Sequence, residues 1–448
     1  MTQLSEHPSV KRFWARSGAA EAGPPSRLDA RELRELCLQV GANDVGFVDI
    51  DRAELAKERD DVLRFFPHTK ALISFVVRMN REPIHNPARS VANVEFEQTG
   101  HRVNETAHHI VAALAAKGIR AINPAMGFPM EVARGTGNKL WVVSHKVVAV
   151  AAGLGQMGIH RNVIHPKFGN FILLGTVLMD AEVTEYQRPL DYNPCLECKL
   201  CVSACPVGAI GSDGAFDFGA CFTHNYREFY GGFSNWVEQI ADSKDAQDYR
   251  RRVSMPETAS MWQSLSYGAN YKSAYCMAVC PAGEDVIAPF LLDRPEYLKD
   301  VVKPLQQKEE TVFVLPDSDA EDYVARRFPK KSTKRVGNGL NRLRSIPAFL
   351  RGLELTFQRN HAKGLDATYH FTFTGNINRE ATVVIRDQTV KVHEGHIGKA
   401  NLHVTADSET WLGFLARERN IVWALLRRKI RIKGSPRLLL AFGKCFPS

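Results

Sequence analysis

Seven cysteines lie within 86 residues of this 448-residue chain, in two groups that each end in a Cys-Pro pair. The first group reads C-x2-C-x2-C-x3-C-P, and an isolated cysteine and the sequence CMAVCP follow it. Short spacings of this kind let one loop place several soft thiolate ligands around one centre. They therefore favour inorganic iron clusters over the simpler alternatives, a zinc ribbon or a set of disulfides.

The spacing of the first group is that of bacterial proteins with two iron–sulfur clusters, in which the fourth cysteine of the run ligates the other cluster. We therefore assign the seven thiolates to two crossed sets: Cys195, Cys198, Cys201 and Cys280 for one 4Fe–4S cluster, and Cys205, Cys221 and Cys276 for the second. Iron ligands must stay reduced, so we expect a cytoplasmic location. We also expect an electron donor of the ferredoxin or flavodoxin type.

Length and composition bound the class of protein. The chain is long enough for two or three domains, and its apolar fraction of 44% is ordinary for a globular protein. No apolar run reaches the roughly 18 residues needed to cross a bilayer. Residues 1–27 contain basic residues without an apolar core behind them, which predicts a flexible tail rather than a secretory signal.

The net charge of +9 is concentrated in one stretch. From Arg326 to Arg344 there are eight Lys or Arg and no acidic residue. Such a block can contact the phosphates of nucleic acid or anionic lipid, but Phe328 is its only aromatic for stacking on a base. We therefore predict a solvated basic linker over 301–345 and no nucleic-acid partner.

Hydrophobic periodicity divides the rest of the chain into three parts. Over 28–190, short Val-, Ile- and Phe-rich runs alternate with helical patterns, which predicts an α/β core. The cysteine-bearing module occupies 191–300. Over 346–448, alternating strands separated by turn residues predict an antiparallel meander, followed by helices capped by Ser408 and Asn420.

The stretch 151–180, AAGLGQMGIHRNVIHPKFGNFILLGTVLMD, followed by the cysteine run, resembles the epoxyqueuosine reductases and the reductive dehalogenases. VGANDVGFVDI is also similar to the start of epoxyqueuosine reductases, so the resemblance covers about 28–300. It implies an α+β multidomain protein with a nitroreductase-like α/β core, a ferredoxin-type double-cluster module and a base-off cobalamin. Electrons would pass from the outer cluster to the inner one and then to cobalt.

Three positions depart from the pattern of those families. Ser273 stands where their second motif has its first cysteine, so the second cluster is a 4Fe–4S cluster with another fourth ligand, a 3Fe–4S cluster, or absent. Asn123 is the nearest match to the Asp proton donor of epoxyqueuosine reductases, and Asn is not an acid. Where those enzymes have G-K-N, this chain has Gly158-Ile159-His160, so His160 and Arg161 are the candidates to supply a proton and a positive charge.

Gly153, Gly155 and Gly158 form a G-x-G-x-x-G sequence, and the resemblance makes them the candidate cofactor-binding residues. A nicotinamide or flavin dinucleotide site would need a strand before the first glycine and an acidic residue about twenty positions on. The preceding sequence HKVVAVAA fits either a strand or a helix.

The last hundred residues resemble the sterol carrier protein two domain, through the meander, the SETWL helix and the closing KIRIKGSPRLLLAF. The resemblance implies a five-stranded sheet whose helices enclose an apolar tunnel for a lipid or another apolar molecule. Its aromatic residues are predicted to be core: Phe371, Phe373, Trp411, Phe414 and Trp423.

The sequence is compatible with two functions. The first is an iron–sulfur oxidoreductase that passes electrons through its clusters to cobalamin and reduces a hydrophobic substrate. The second is a non-catalytic electron-transfer or redox-sensing protein without cobalamin, whose C-terminal domain binds a lipid or a partner. No helical repeats follow residue 300, where an epoxyqueuosine reductase would grip transfer RNA, and no dehalogenase-type leader precedes the core.

Overall fold

The computed structural model describes residues 3–16, 25–131, 141–229, 231–337, 345–416 and 418–446. The first third has the element order α1 (Pro8–Arg16), β1 (Arg27–Leu28), α2 (Ala30–Gln39), β2 (Asp44–Asp49), α3 (Ala56–Phe65), β3 (Ala71–Arg78), α4 (Arg81–His85), α5 (Arg89–Ala116), β4 (Ala121–Ile122), α6 (His145–Ala151), β5 (Gln156–Met157), β6 (Val163–Ile164), β7 (Ile172–Met179) and β8 (Glu182–Val183). The tail predicted over 1–27 thus contains a short helix, and HKVVAVAA is helical.

The core of this part is a four-stranded sheet with the order β2-β3-β7-β4, in which all neighbours are antiparallel. The central strand β3 is buried on both faces, as its unbroken apolar run predicts. Ile73 and Phe75 face α2 and α5, whereas Leu72 faces α6. The sheet therefore lies between two helical layers, with α6 leading directly into the glycine-containing segment after it.

The middle of the chain consists mainly of short helices. In order these are α7 (Leu200–Ala204), α8 (Phe218–Asn225), α9 (Gly231–Ala241), α10 (Ala246–Arg252), α11 (Met255–Tyr267), α12 (Tyr275–Ala278), α13 (Ala288–Leu292), α14 (Arg294–Tyr297), a π-helical turn (Leu298–Val302), α15 (Lys303–Gln307), β9 (Glu310–Val314), α16 (Asp319–Arg327) and β10 (Lys331–Arg335). Strands β9 and β10 pair in parallel.

The prediction of a solvated linker over 301–345 is wrong for the residues that the structure describes there. Three of its cations are paired with glutamates: Lys331 with Glu310 at 2.6 Å, Lys334 with Glu257, and Arg335 with Glu321 at 2.6 Å. Acidic residues outside the block thus neutralise part of it, which its local composition could not show. Residues 338–344, with Arg342 and Arg344, lie outside the described ranges.

The last part begins with a helix and continues as a five-stranded sheet. Its elements are α17 (Ile346–Thr356), β11 (Ala367–Thr374), β12 (Arg379–Arg386), β13 (Thr389–Glu394), β14 (Leu402–Asp407), α18 (Ser408–Leu415), α19 (Ile421–Leu426), β15 (Ile430–Gly434) and α20 (Pro436–Lys444). The sheet order is β13-β12-β11-β14-β15. The first three strands form the predicted meander, but β14 pairs with β11 in parallel. The prediction of a wholly antiparallel sheet is therefore wrong.

Turns and caps in this domain follow local chemistry. Asp387 and Gln388 both have positive φ, as the type I′ turn between paired strands requires. Asn420 caps α19 as predicted, accepting the N–H of Val422. Helix α18 is capped by Asp407 instead of Ser408, because the Asp407 carboxylate accepts the N–H of Thr410.

The interior of this sheet is filled with aromatic rings. Trp411 packs edge-on against Phe349, Phe371 and Phe373 at ring distances of 5.6 to 6.1 Å. Phe371, Phe373 and Trp411 are buried and Phe414 is half-buried, so these predictions are confirmed. Trp423 is 62% exposed, so its prediction as core was wrong. Within the described ranges, no helix has the length and apolar character needed to cross a membrane.

Candidate iron–sulfur site

Two short helices present cysteines from opposite ends of the module. Helix α7 begins after Lys199 and α12 begins after Ala274, and both preceding residues have a φ of 51°, in the left-handed region. Each turn therefore reverses the chain sharply and starts a helix that carries a cysteine, Cys201 in α7 and Cys276 in α12. The two helices contact each other. The two Cys-Pro loops consequently face one another.

The structure brings the seven thiols close enough for their charges to act on one another. Burial raises the pKa of Cys280 to about 12, and the charges of Cys198, Cys195 and Cys276 add to the rise. Burial likewise raises the pKa of Cys276 to about 12, with Cys205 as the next contributor.

Two further thiols are coupled to these. Burial raises the pKa of Cys221, and Cys276 and Cys205 act on it next. The pKa of Cys201 is raised first by burial and then by Cys276, a thiol of the other predicted set, ahead of Cys280, Cys198 and Cys195. Such buried thiols become thiolates only when a metal compensates the charge.

The sets are not shaped for a single ion. Within the described residues, no three His, Cys, Asp or Glu side chains converge as the ligands of one metal ion would. The ligands of a cubane cluster do not converge on one point, because each thiolate binds its own iron and the cysteine sulfurs stand apart.

Ser273, at the position of the missing eighth thiol, is buried and hydrogen-bonded. Its N–H and its hydroxyl both donate to Oδ1 of Asn225 at 3.1 Å, and the N–H of Ala274 donates to the same oxygen at 2.7 Å. Asn225 ends the helix α8 that carries Cys221. Ser273 therefore ties the start of α12 to α8.

Two buried donors beside the thiols have no partner among the residues that the structure describes. They are the hydroxyl of Tyr297 and the Nε and Nη2 groups of Arg89. Burial raises the pKa of Tyr297, and the charges of Cys280 and Cys198 act on it next. Burial lowers the pKa of Arg89, which also feels the charges of Tyr275, Glu310 and Cys276. Buried donors are rarely left without acceptors, and cluster sulfur would supply them, so the site fits iron–sulfur clusters.

The segment after α6 lies against both sets of thiols. The N–H of Ile159 donates to Sγ of Cys195 at 3.3 Å, and the side-chain amide of Asn162 lies 3.9 Å from Sγ of Cys276. The ammonium of Lys146 holds this segment by donating to the carbonyl of Arg161 at 2.7 Å and to Oδ1 of Asn162 at 2.8 Å. A half-buried ammonium thus stands beside the second set of thiols.

His160 is buried, and both of its ring nitrogens contact protein groups. Nδ1 accepts the N–H of Asn162 at 3.1 Å, and Nε2 lies 3.3 Å from the side-chain amide of Asn170. Burial, followed by the charge of Lys146, lowers the pKa of His160 to about 4, so the ring is neutral at pH 7. Arg161 is exposed and donates to the carbonyl of Gly214 at 3.3 Å. His160 and Arg161 therefore point to different environments.

The three glycines of the G-x-G-x-x-G sequence face the chain itself. A Cβ on Gly153 would lie 2.6 Å from the carbonyl oxygen of Arg188, and one on Gly155 would lie 2.4 Å from that of Ile164. One on Gly158 would lie 2.8 Å from the His160 ring. Close packing alone accounts for these glycines, so they give no sign of a corrin ring. The preceding element is a helix, whereas a dinucleotide fingerprint needs a strand.

Several residues at this site were missed in the sequence: Lys146, Arg89, Tyr297, Asn162 and Asn225. None belongs to a cysteine motif, and each comes from a different element. The only available signal was a lysine within the apolar run HKVVAVAA.

Family comparisons support the cysteine and C-terminal patterns. Residues 189–211 match the 4Fe-4S binding domain, and residues 353–447 match the SCP-2 sterol transfer family. The chain therefore carries a 4Fe–4S binding domain and an SCP-2 domain, as predicted.

Curated relatives are epoxyqueuosine reductases. That of Cyclobacterium marinum is 33% identical over 97 residues, which are 20% of this chain and 31% of the relative. That of Aliivibrio fischeri is 30% identical over 167 residues, which are 36% of this chain and 41% of the relative. The chain thus spans less than half the length of these relatives.

Solved structures of the same two families resemble this chain loosely. Epoxyqueuosine reductase from Streptococcus thermophilus has a TM-score of 0.35 at 15% identity, over 61% of this chain and 75% of that one. A catabolic reductive dehalogenase has a TM-score of 0.38 at 16% identity, over 61% of this chain and 34% of that one.

Proposed function

Because the chain carries a 4Fe–4S binding domain and is similar in part to epoxyqueuosine reductases, we propose that it is an iron–sulfur reductase with two clusters. Cys195, Cys198, Cys201 and Cys280 hold the first cluster, and Cys205, Cys221 and Cys276 hold the second. The observation that carries the proposal is the proximity of the seven thiols, with unpartnered buried donors beside them, and the division into two sets rests on the cysteine spacing.

The entry point of the electrons is inferred from exposure. Cys195 and Cys198 are half-buried and flank the exposed residues Leu196 and Glu197, so an external donor would reach the first cluster there. The donor is expected to be a ferredoxin or flavodoxin-type protein. Exposure alone does not order the two clusters, because Cys221 and Cys276 are half-buried as well. The passage of electrons from the first cluster to the second is proposed on the sequence resemblance.

For the final acceptor we propose base-off cobalamin, on the sequence resemblance to epoxyqueuosine reductases and dehalogenases. When bound, such a corrinoid supplies a strongly reducing cobalt centre. The three packed glycines are not the residues that would hold it, because each lies against the chain itself. The SCP-2 domain supports an apolar substrate, because pockets for small molecules are mostly apolar with a few polar groups.

A second function has specific support. Ser273 removes one expected thiolate, Asn123 replaces the expected acid, and the glycines are used for packing. All three favour an electron-transfer or redox-sensing protein without cobalamin, whose C-terminal domain binds a lipid or a partner.

Metal analysis separates the two functions. We expect anaerobically purified protein to contain iron and acid-labile sulfide, with paramagnetic resonance distinguishing a 3Fe–4S from a 4Fe–4S second cluster. Protein grown with cobalamin would contain cobalt if the first proposal holds. Iron without any corrinoid affinity would leave the electron-transfer function, and a colourless protein without sulfide would reject both.

The ligand assignment predicts a pair of selective losses. Cys195→Ser should remove the paramagnetic signal of the first cluster, and Cys276→Ser that of the second, because each thiolate binds iron of one cluster only. Cys445→Ala, a cysteine outside both sets, is the control and should keep both signals. Loss of the same signal in both serine variants would contradict the crossed assignment.

A further inference from the structure

One stretch of the C-terminal domain carries positive charge only. Residues 421–446 contain seven Lys or Arg and no Asp or Glu. All seven are exposed, and the ion pairs among the described residues involve none of them. The basic block before residue 338 differs, because its Lys331, Lys334 and Arg335 are each paired with a glutamate. Apart from Lys429, whose charge acts on Asp407, the charge of 421–446 is therefore free to attract an anionic partner.

The same stretch exposes large apolar side chains. Val422, Trp423 and Leu426 of α19 are 57%, 62% and 69% exposed, and Leu440 of α20 is 70% exposed. Of the described side chains of α19, only Ala424 is buried. Single exposed apolar residues are common, but three on a six-residue helix form a patch that indicates an interaction surface.

The fold joins the apolar and the basic residues. Helix α19 packs on β15, which is an edge strand of the sheet. On α20, Arg437, Leu440 and Lys444 recur at intervals of three and four and therefore lie on one face. The guanidinium of Arg427 lies 5.8 Å from the centre of the Trp423 ring. In β15, Ile430 and Ile432 pack into the core, so Arg431 and Lys433 point to the other face of the sheet. We call the exposed side chains of α19, of α20 and of Arg427, Arg428 and Lys429 the basic–apolar surface.

We propose that the basic–apolar surface docks the protein on an anionic lipid bilayer. Tryptophan and leucine beside lysine and arginine suit the boundary between head groups and acyl chains, where apolar side chains insert and cations contact phosphate. Binding to nucleic acid would leave the exposed valine and leucine without an apolar partner. A folded protein partner would need acidic side chains among its apolar ones. The inference does not depend on the proposed reductase activity.

The test is sedimentation of the full-length protein with vesicles. We expect binding to phosphatidylcholine vesicles that contain phosphatidylglycerol, little binding to pure phosphatidylcholine, and loss of binding at high salt. Arg427→Glu/Arg428→Glu/Lys429→Glu should weaken binding at least about tenfold, because each cation near an anionic surface contributes to attraction. Brominated lipids should quench fluorescence of the wild type more than that of Trp423→Phe.

The matched control is Lys363→Glu/Lys391→Glu/Lys399→Glu. It changes the net charge equally, on exposed lysines of the same domain outside the basic–apolar surface. We expect it to bind vesicles like the wild type, and unchanged iron content and circular dichroism would show that all variants are folded. Equal weakening in both triple variants, equal binding to neutral vesicles, or binding of RNA instead of vesicles would overturn the proposal.

Discussion

At the scale of single residues, the site is defined as much by unpartnered donors as by thiols. Tyr297 and Arg89 are both buried, and a buried hydrogen-bond donor that has no acceptor destabilises the folded protein. Tyr297 feels the charges of Cys280 and Cys198, and Arg89 feels those of Tyr275, Glu310 and then Cys276. Under the predicted ligand assignment each donor lies by a different set of thiols, where a cluster would carry acceptor sulfur.

Tyr297→Phe should therefore change one cluster and leave the other unaltered. Hydrogen bonds to cluster sulfur stabilise the more negative, reduced state and raise the reduction potential. Removing a hydrogen bond worth about 1 kcal/mol should lower the midpoint potential of the first cluster by tens of mV, which makes that cluster harder to reduce. A potentiometric titration followed by paramagnetic resonance measures this shift.

The control for that substitution is Tyr249→Phe. The Tyr249 hydroxyl bonds to Trp236 and Thr258, so the variant makes the same chemical change without touching the thiols. Both variants should retain wild-type iron. An unshifted first midpoint in Tyr297→Phe, or equal shifts in the two clusters, would show that the hydroxyl does not donate to that cluster.

At the scale of elements, helix α8 links the second set of thiols to the C-terminal domain. Asp217 caps α8 by accepting the N–H of Ala220 at 2.9 Å, and its other oxygen accepts from the side chain of Gln358 at 3.2 Å. Removal from water raises the pKa of Asp217 from 3.8 to about 6. This carboxyl consequently binds its proton more tightly in the folded protein than in the unfolded chain.

The raised pKa of Asp217 makes the stability of the folded protein fall as the pH rises. Because the folded pKa is raised, Asp217 favours folding below about pH 4, and this contribution is lost as the pH rises through about 6. Asp217→Asn keeps one oxygen for the cap and is neutral at every pH, but it loses the oxygen that accepts from Gln358. We expect its stability relative to the wild type to be higher at pH 7.5 than at pH 5.5 by roughly 1 kcal/mol, because only the wild type has to ionise a shielded carboxyl over that range.

Urea unfolding of both proteins at the two pH values tests this expectation. Asp213→Asn serves as a comparison, because the exposed Asp213 pairs with Arg359 at 2.8 Å and its pKa is lowered by hydrogen bonds from the Ala215 N–H and from Arg359. That variant should be no more stable than the wild type at pH 7.5. A stability difference for Asp217→Asn that grows on acidification would contradict the assignment.

Elements that depend on local pattern were predicted well, and elements that depend on distant partners were not. The buried run of β3 and the strands β11 to β13 were predictable from periodicity and turn residues. The strand β10 was not, because its lysines are explained only by Glu310 and Glu257. The cysteine spacing indicated the ligands of the site, but nothing local indicated Tyr297 or Arg89.

At the scale of the whole molecule, the chain has separate cores for its two chemistries. One buried cluster surrounds the cysteines and includes Leu200 and Tyr275, whereas another consists of α17 and the C-terminal sheet and includes Phe371. Polar contacts join the two, among them those of Gln358 with Asp217 and of Arg359 with Asp213. Since polar interfaces of this kind contribute little to either core, each part should fold without the other.

Truncation before Ser345 is therefore expected to separate cluster binding from vesicle binding. A chain of residues 1–344 should keep its iron, its sulfide and the midpoints of both clusters, because every assigned thiolate and both unpartnered donors precede the cut. It should lose binding to anionic vesicles, while residues 345–448 alone should bind them as the full chain does. Equilibrium dialysis for iron and vesicle sedimentation measure the two outcomes on the same preparations. Loss of clusters from the shorter chain would mean that α17, which packs against α8, is needed to hold Cys221 in place.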